Sequence, residues 1–313
     1  MTIKTMTAPL YNSPEENATM VDEALHGMVV SIEYTKGDWF YVQTAYRYKG
    51  WVHRSHLTDY RDLNDNPNNN PNNNSNDNPN DNPNNNPNIT QKTKYINTAS
   101  ADVLTAPKVQ APLLICLTLG CTVHVSEQAN DNTTIANDNT TKTNDHTNGY
   151  TKIHLADNRT GYIRTDFLSS FPDKITRRAV CDTALLYLNT QYRWGGKTPY
   201  GIDCSGLCFM AYWLNGVAIY RDAKIQPGFP IKEIQPKETQ SKKTQSKKNQ
   251  SKEIQLKQAQ EGDLIYFPGH VGILLDENTM IHSSEKRNGV KIEPLTPEWK
   301  NSITALGRLI SAF

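Results

Sequence analysis

The sequence lacks a long apolar run. Its longest, APLLICLTLG from Ala111 to Gly120, is about half of the ~20 residues that a membrane-crossing helix needs, so no spanning helix and no membrane partner are expected. The amino-terminal MTIKTMTAPLYNSPEENATM has no continuous apolar core after its lysine and does not read as a secretory signal. The expectation is a cytoplasmic protein, with secretion by a non-standard route left open. An excess of either charge is missing too. Thirty-three Lys and Arg against 32 Asp and Glu leave +1 at pH 7, which offers no bulk field for nucleic acid or an anionic surface, and no nucleic-acid partner is expected. Cysteine is scarce: five residues, an odd number, with no CxxC and no Cys/His metal spacing. No metal and no other cofactor are expected. Cys204 and Cys208 lie one helical turn apart, a spacing that suits a helix better than a disulfide.

Apolar content is low overall, at 36%, because polar residues gather in three biased segments. Asn64–Asn88 is almost entirely Asn and Pro, Glu127–Asn148 is rich in Asn, Thr and Asp, and Lys232–Gln258 carries the near-repeat TQSKK, TQSKK, NQSKE, IQLKQ. Such segments cannot bury enough surface to offset chain entropy. They read as a disordered linker, a swollen hairpin loop and a solvated basic insert. The five-residue period matches neither a helix nor a heptad.

Three globular pieces remain. Residues 1–60 show short alternating runs, MVVSIEY, WFYVQTA and KGWVHRSHL, the spacing of a small barrel. A linker covers 61–93. Residues 94–171, with a loop insert at 127–148, repeat the layout: an aromatic strand, a turn, then RTGYI where the first piece has YKGWV, then a polar turn and a leucine. Residues 172–313, with the insert at 232–258, differ. Ile175, Ala179, Val180, Ala184, Leu185 and Leu188 have helical spacing, and CSGLCFMAYWLNGV reads as a second helix, apolar along one side. The runs GDLIYF, HVGILLD, TMIHSS, GVKIEPL and ITALGRLI follow as strands, an α+β pattern.

Chemistry concentrates in the last piece. Cys204 follows GID and opens the second helix, where free backbone N–H groups and the helix dipole favour a thiolate. Its pKa is expected to fall toward neutrality, and the same N–H groups could hold an oxyanion. Alone, such a cysteine reads equally well as structural. Two histidines shift the balance. His270 opens HVGILL and His282 lies in TMIHSS, and a hairpin centred on Asp276 would set them near-opposite on one face. One imidazole could then act as a base toward Cys204 while the other orients it.

YRWGG, GIDCSGL, GDLIYF, GHVGI and MIHSS, in that order, resemble the NlpC-type cysteine peptidases of bacterial cell-wall metabolism. The two preceding pieces resemble tandem bacterial SH3-like domains. The implied fold is two small all-β SH3-like barrels followed by an α+β papain-like peptidase domain. The resemblance implies Cys204 as nucleophile, His270 as base and acid, His282 as the orienting third member, and Tyr192 as an oxyanion-hole hydroxyl. Asp203 and Ser205 would line the cleft. It also implies hydrolysis of the γ-D-glutamyl–diamino acid bond in peptidoglycan stem peptides, and a tandem-domain subgroup that recycles free peptides bearing an L-alanine amino terminus. Asp222 in YRDA and Glu23 in VDEALHG would pair with that ammonium, and Tyr48, ahead of Tyr46, would wall the end of the cleft. The competing readings are a secreted or phage-type lysin acting on intact wall, and an inactive wall-peptide-binding module.

Overall fold

The computed structural model describes residues 1–59, 89–128, 146–147, 149–235 and 256–310. Most of the Asn/Pro linker, the Asn/Thr loop and the Lys-rich insert lies outside the described residues. Regular structure reaches into their margins. The strand Ile89–Ile96 pairs with Thr122–Gln128, and Ile231–Glu233 pairs with Ala305–Leu309, so strands overlap the edges of the bounds 61–93, 127–148 and 232–258, while Asn64–Asn88 lies outside the described residues. Backbone pairing with a neighbouring strand outweighs low side-chain hydrophobicity there.

The chain divides into two compact units. One comprises Met1–Met6, Leu25–Val29 and Ser55–Ser170; the other comprises Thr7–Ala24, Val30–Arg54 and Phe171–Phe313. Among the described residues, the first unit holds an eight-stranded antiparallel sheet whose main path runs Leu113–Leu117, Ala101–Leu104, Thr160–Arg164, Tyr150–His154, Thr122–Gln128, Ile89–Ile96 and Leu168–Ser169.

Among the described residues, the second unit holds most of a five-stranded sheet in the order Met20–Leu25, Thr7–Tyr11, Lys49–His53, Trp39–Thr44 and Val30–Lys36. It also holds a six-stranded antiparallel sheet in the order Ile231–Glu233, Ala305–Leu309, Leu264–Phe267, His270–Leu274, Thr279–Ser284 and Gly289–Pro294. One core of this sheet gathers Ile265, Phe267, Leu274, Met280, Leu295 and Leu306.

The sheet also meets helix α2, Cys204–Trp213. Every residue from Cys204 to Tyr212 is buried, so α2 is covered all round rather than on one side. The composition of CSGLCFMAYW allows this, because it carries no charge. Helix α1, Arg177–Leu185, starts at Thr176, whose hydroxyl accepts from Ala179 N–H at 3.1 Å. Asn215 fastens the two helices by donating its amide to Ala179 O, Thr183 Oγ1 and Ala211 O.

The layout repeat seen in the sequence has a backbone counterpart. Gly27 N–H donates to Ile3 O and Met28 N–H to Leu25 O; Gly120 donates to Ile96 O and Cys121 to Thr118 O. Thr44 N–H donates to Tyr48 O and Arg47 N–H to Thr44 O; Leu155 donates to Arg159 and Asn158 to Leu155. Both glycines take the left-handed conformation, φ 81° and 89°, and so do Arg47 and Asn158, φ 62° and 67°. Such turns favour Gly and Asn; arginine is the unusual occupant.

Candidate active site

Cys204 is the first residue of α2, and Asp203 caps the helix by accepting from Gly206 N–H through Oδ1 at 2.6 Å. Its other oxygen, Oδ2, accepts from Gly195 N–H at 2.8 Å. The cap therefore ties the YRWGG turn to the helix start. Neither Gly206 nor Gly196 can be enlarged: a Cβ on Gly206 would lie 2.3 Å from Gly196 O, and one on Gly196 would lie 2.4 Å from Gly201 O. Ser283 Oγ donates to Ile202 O at 2.7 Å, which pins the residue two before the cysteine to the Thr279–Ser284 strand.

The backbone N–H groups of Val271 and Ser205 stand close enough to the Cys204 sulfur to favour its thiolate, and the residue is 7% exposed. It therefore lies at the head of the strand that His270 opens. Burial first, and then the Asp203 charge, push the thiol up to about 11. This corrects the expectation of a thiol near neutrality. The helix N-terminus is present, but removing a thiolate from water beside a carboxylate outweighs it. The resting thiol is protonated, so attack on a carbonyl requires a base at hand.

The candidate base precedes Val271 at the head of the strand that packs against α2. His270 Nε2 lies 2.7 Å from His282 Nδ1, and His282 Nε2 lies 2.9 Å from Glu293 Oε2. Burial pulls His270 down to about 4 and lowers His282 as well, so both rings are neutral near pH 7. The hairpin register is shifted from the one expected. Ile273 pairs with Ile281 and Leu274 with Met280, which centres the turn on Glu277 and sets the histidines diagonally. A shift that preserves parity keeps them on one face. Continued, this register puts Gly272 across from His282, and a Cβ there would stand 3.2 Å from His282 Cβ. The rings of Phe267 and Trp299 lie against His270.

Tyr192 is half-buried and bridges to Ile202. Burial, followed by the charges of Cys204 and Asp203, raises its hydroxyl, so the phenol stays protonated and able to donate.

A buried thiol, a neutral imidazole row and a capped helix start can together carry out acyl transfer. Comparison with known proteins agrees. Residues 189–308 match the NlpC/P60 family, and residues 10–57 match the bacterial dipeptidyl-peptidase Sh3 domain. The chain is 36% identical to dipeptidyl-peptidase 6 of Lysinibacillus sphaericus over 97% of both chains. The chain belongs to the NlpC/P60 family. It is 25% identical to the γ-D-glutamyl-L-lysine dipeptidyl-peptidase of Bacillus subtilis (strain 168), over 52% of this chain and 51% of that one. The fold matches that of an NlpC/P60 family protein from Bacillus cereus ATCC 10987, with a TM-score of 0.67 and 18% identity over 98% of each chain. The chain is thus an NlpC/P60 peptidase with an SH3-like domain ahead of the catalytic fold.

Beside the cysteine of this NlpC/P60 domain lies a charge network that sequence reading missed. Arg221, 1% exposed, donates Nη1 and Nη2 to the two oxygens of Asp203, both at 3.0 Å, Nη1 to Ser205 Oγ at 2.8 Å, and Nε to Asp22 Oδ1 at 2.7 Å. Lys197, fully buried, donates Nζ to Asp22 Oδ2 and Tyr46 Oη, and lies over the Tyr46 and Phe209 rings. Burial alone would raise the Asp22 carboxyl, yet Lys197 and Arg221 hold it below the usual carboxylate range. Tyr46 is thus a buried structural member, bonded through its hydroxyl to Asp22.

The remaining candidates flank this network. Glu23, 4% exposed, accepts from Lys197 N–H at 3.0 Å, and Arg193 lies 3.8 Å from its other oxygen. Burial raises its pKa. Tyr48 Oη donates to Asp222 Oδ1 at 3.1 Å. Signals for the missed residues existed in part. Arg221 adjoins Asp222, and Asp22 with Glu23 places two acids in succession inside the strand Met20–Leu25, where both are buried. Glu293 sits in GVKIEP with nothing local to mark it; only the register opposite Met280 brings it beside His282.

Proposed function

We propose that this protein is a cysteine peptidase that hydrolyses the γ-D-glutamyl–diamino acid bond of free peptidoglycan stem peptides, releasing L-Ala-γ-D-Glu during wall recycling in the cytoplasm. The observation that carries the reading is the arrangement of Cys204 at the start of α2, packed against the strand His270–Leu274, with His270 at the head of that strand bonded to His282. Cys204 gives its proton to His270 as Sγ attacks the γ-carbonyl, and the oxyanion is held by the α2 N-terminal N–H groups and the Tyr192 hydroxyl. His270 then protonates the leaving amine, and a water activated by the same imidazole cleaves the thioester.

The end-reading step rests on acids. Glu23 and Asp222 serve the substrate ammonium, and Tyr48 orients Asp222. What supports this is their attachment to the network around Cys204. Glu23 takes the backbone N–H of Lys197, and Asp222 follows the arginine that grips Asp203 and Ser205. The names of the two dipeptidyl-peptidase relatives support a dipeptide product. The repeated turn bonds support reading 94–171 as a second SH3-like barrel ahead of a peptidase domain at 172–313.

The test offers free L-Ala-γ-D-Glu-diamino acid, its N-acetylated form and intact sacculi, with products read by mass spectrometry. Cleavage of the free tripeptide alone is expected, and Cys204→Ala is expected to abolish it. Equal cleavage of blocked and free peptide would overturn the recycling assignment in favour of a lysin, and undiminished turnover by Cys204→Ala would end the peptidase mechanism.

A further inference from the structure

We propose that Glu293 is a positioning residue that fixes the proton arrangement of both imidazoles, so that His270 presents a bare Nδ1. The inference rests on the reading of His270 as the base for Cys204. A carboxylate accepts hydrogen bonds and donates none. At 2.9 Å from Glu293 Oε2, His282 Nε2 must therefore carry the hydrogen. A neutral imidazole carries only one, so His282 Nδ1 is an acceptor. The group 2.7 Å from it, His270 Nε2, must then be the donor. The single hydrogen of neutral His270 is thus committed at Nε2, and its Nδ1 keeps a lone pair. A glutamate two residues removed in the relay decides which nitrogen of the base is free.

The surroundings hold this arrangement in one geometry. His282 is fully buried, and Glu293 Oε1 is held by Arg287 Nε at 2.7 Å. The Trp299 ring stands edge-on to His282 and nearly parallel to His270, which restricts rotation of both rings. In the reaction the Cys204 proton moves to His270 Nδ1 while Nε2 keeps its own. The imidazolium then donates from Nε2 to His282 Nδ1, and the carboxylate at the far end offsets the new charge without taking a proton. This is the logic by which a third residue selects the tautomer of a catalytic histidine, extended by one further imidazole.

The test is NMR of the full chain, labelled at histidine nitrogen, near pH 7, together with steady-state kinetics on the free tripeptide. The unsubstituted protein is expected to show hydrogen on Nε2 of both His270 and His282. A proton on His282 Nδ1 would overturn the proposal with no variant needed. In Glu293→Gln the amide can turn its N–H toward His282 and reverse the relay, so the His270 hydrogen is expected to move to Nδ1. The kcat is expected to fall about 10²-fold with KM nearly unchanged. Glu293→Asp, which keeps the acceptor, should retain the Nε2 pattern and recover most of the loss. Unchanged tautomers in Glu293→Gln, or changed tautomers with full kcat, would each overturn the role. The tautomer readout uses no substrate, so it can fail or succeed independently of the assigned peptidase activity.

Discussion

Two β-rich stretches ahead of the peptidase fold, within 1–59 and 89–171, share a set of turn hydrogen bonds, yet among the described residues only the first carries buried acids. Counting back from the matched residues Leu25 and Thr118, Asp22 and Glu23 of the first correspond to Ile115 and Cys116 of the second. Tyr48 corresponds to Arg159, through the matched bonds to their carbonyls. In the first module Asp22 and Glu23 are buried and bonded to Arg221 and Lys197. In the second, Cys116 sits half-buried near Ser100 Oγ, and Arg159 pairs with Asp157 of its own turn at 2.8 Å. The scaffold is set by turns and strand pairing; the site is set by what a few side chains at one end of a strand face. A shared turn pattern therefore does not carry the site with it, which is why function is argued from the site.

The comparison makes its strongest demand at Arg221. Replacing it with Met leaves Asp22 and Asp203 buried with one cation fewer, and breaking a buried pair from one side costs about 3–5 kcal/mol. Urea unfolding of Arg221→Met should show that loss in the unit that contains α2, together with reduced turnover, because Asp203 and Ser205 lose their shared donor. Adding Asp22→Asn should restore part of the stability, since the two sites are coupled. A loss within ~1 kcal/mol of zero would mean the network is solvated, and the contrast between the modules would lose its energetic content.

His26 and Leu119 occupy matched positions, each preceding a left-handed glycine, and this pair sharpens the contrast in another way. His26 is fully buried. Its Nδ1 lies 3.0 Å from Lys4 O, and its Nε2 accepts from Ala156 N–H at 3.2 Å. Burial depresses its pKa from 6.5 to about 4. Above pH 6.5 the ring is neutral in both folded and unfolded chains, and its contribution is complete. Between 6.5 and 4 only the unfolded chain binds the proton, so stability falls as pH falls, by about 3 kcal/mol at the lower limit. Denaturation measured from pH 7 to pH 4 should therefore show a shallower decline in His26→Leu, which copies Leu119. An equal slope in variant and parent would assign the acid loss to other groups.

The acids themselves give the next effect. Glu23→Gln should raise KM for the free tripeptide about 30-fold, as expected for removing the charge from a buried ammonium contact, and the N-acetylated peptide should stay uncleaved. Cys116→Ala, at the matched position of the second module, should change neither constant. If both substitutions raised KM alike, the division between a site-bearing and a plain module would be broken.

Much of this was legible in the sequence, for physical reasons that also mark where legibility ends. Cys204 at a helix start followed from its place after GID and at the head of the apolar CSGLCFMAYWLNGV run, and the two histidines on one face followed from strand parity, which survives an even register error. The register itself did not follow, because the turn length between Leu275 and Thr279 depends on how Asp276 bonds the backbone of Asn278 and Thr279. The thiol's high pKa was not legible either. The dipole of α2 is a local property, whereas desolvation depends on the sheet that covers Cys204. Arg221, Lys197 and Glu293 act across long sequence separations, and a single sequence offers no periodicity that would join Asp22 to Arg221.

The smallest effect tests the finest point of the comparison. Tyr48 donates to Asp222 from the position that Arg159 holds in the other module. Tyr48→Phe removes one hydrogen bond to a carboxylate, worth about 1.5–3 kcal/mol in full, but it leaves the carboxylate in place and loosens only its orientation, so KM for the free tripeptide should rise about 3- to 10-fold with kcat unchanged. Arg159→Ala should leave both kinetic constants alone, since its surface pair with Asp157 contributes little. The order matters more than either value. Glu23 takes one backbone N–H and a distant guanidinium, so it has charge to offer an ammonium, whereas Tyr48 only orients the acid that does so. A Tyr48→Phe effect larger than that of Glu23→Gln would reverse those roles and make Asp222 the principal ammonium contact.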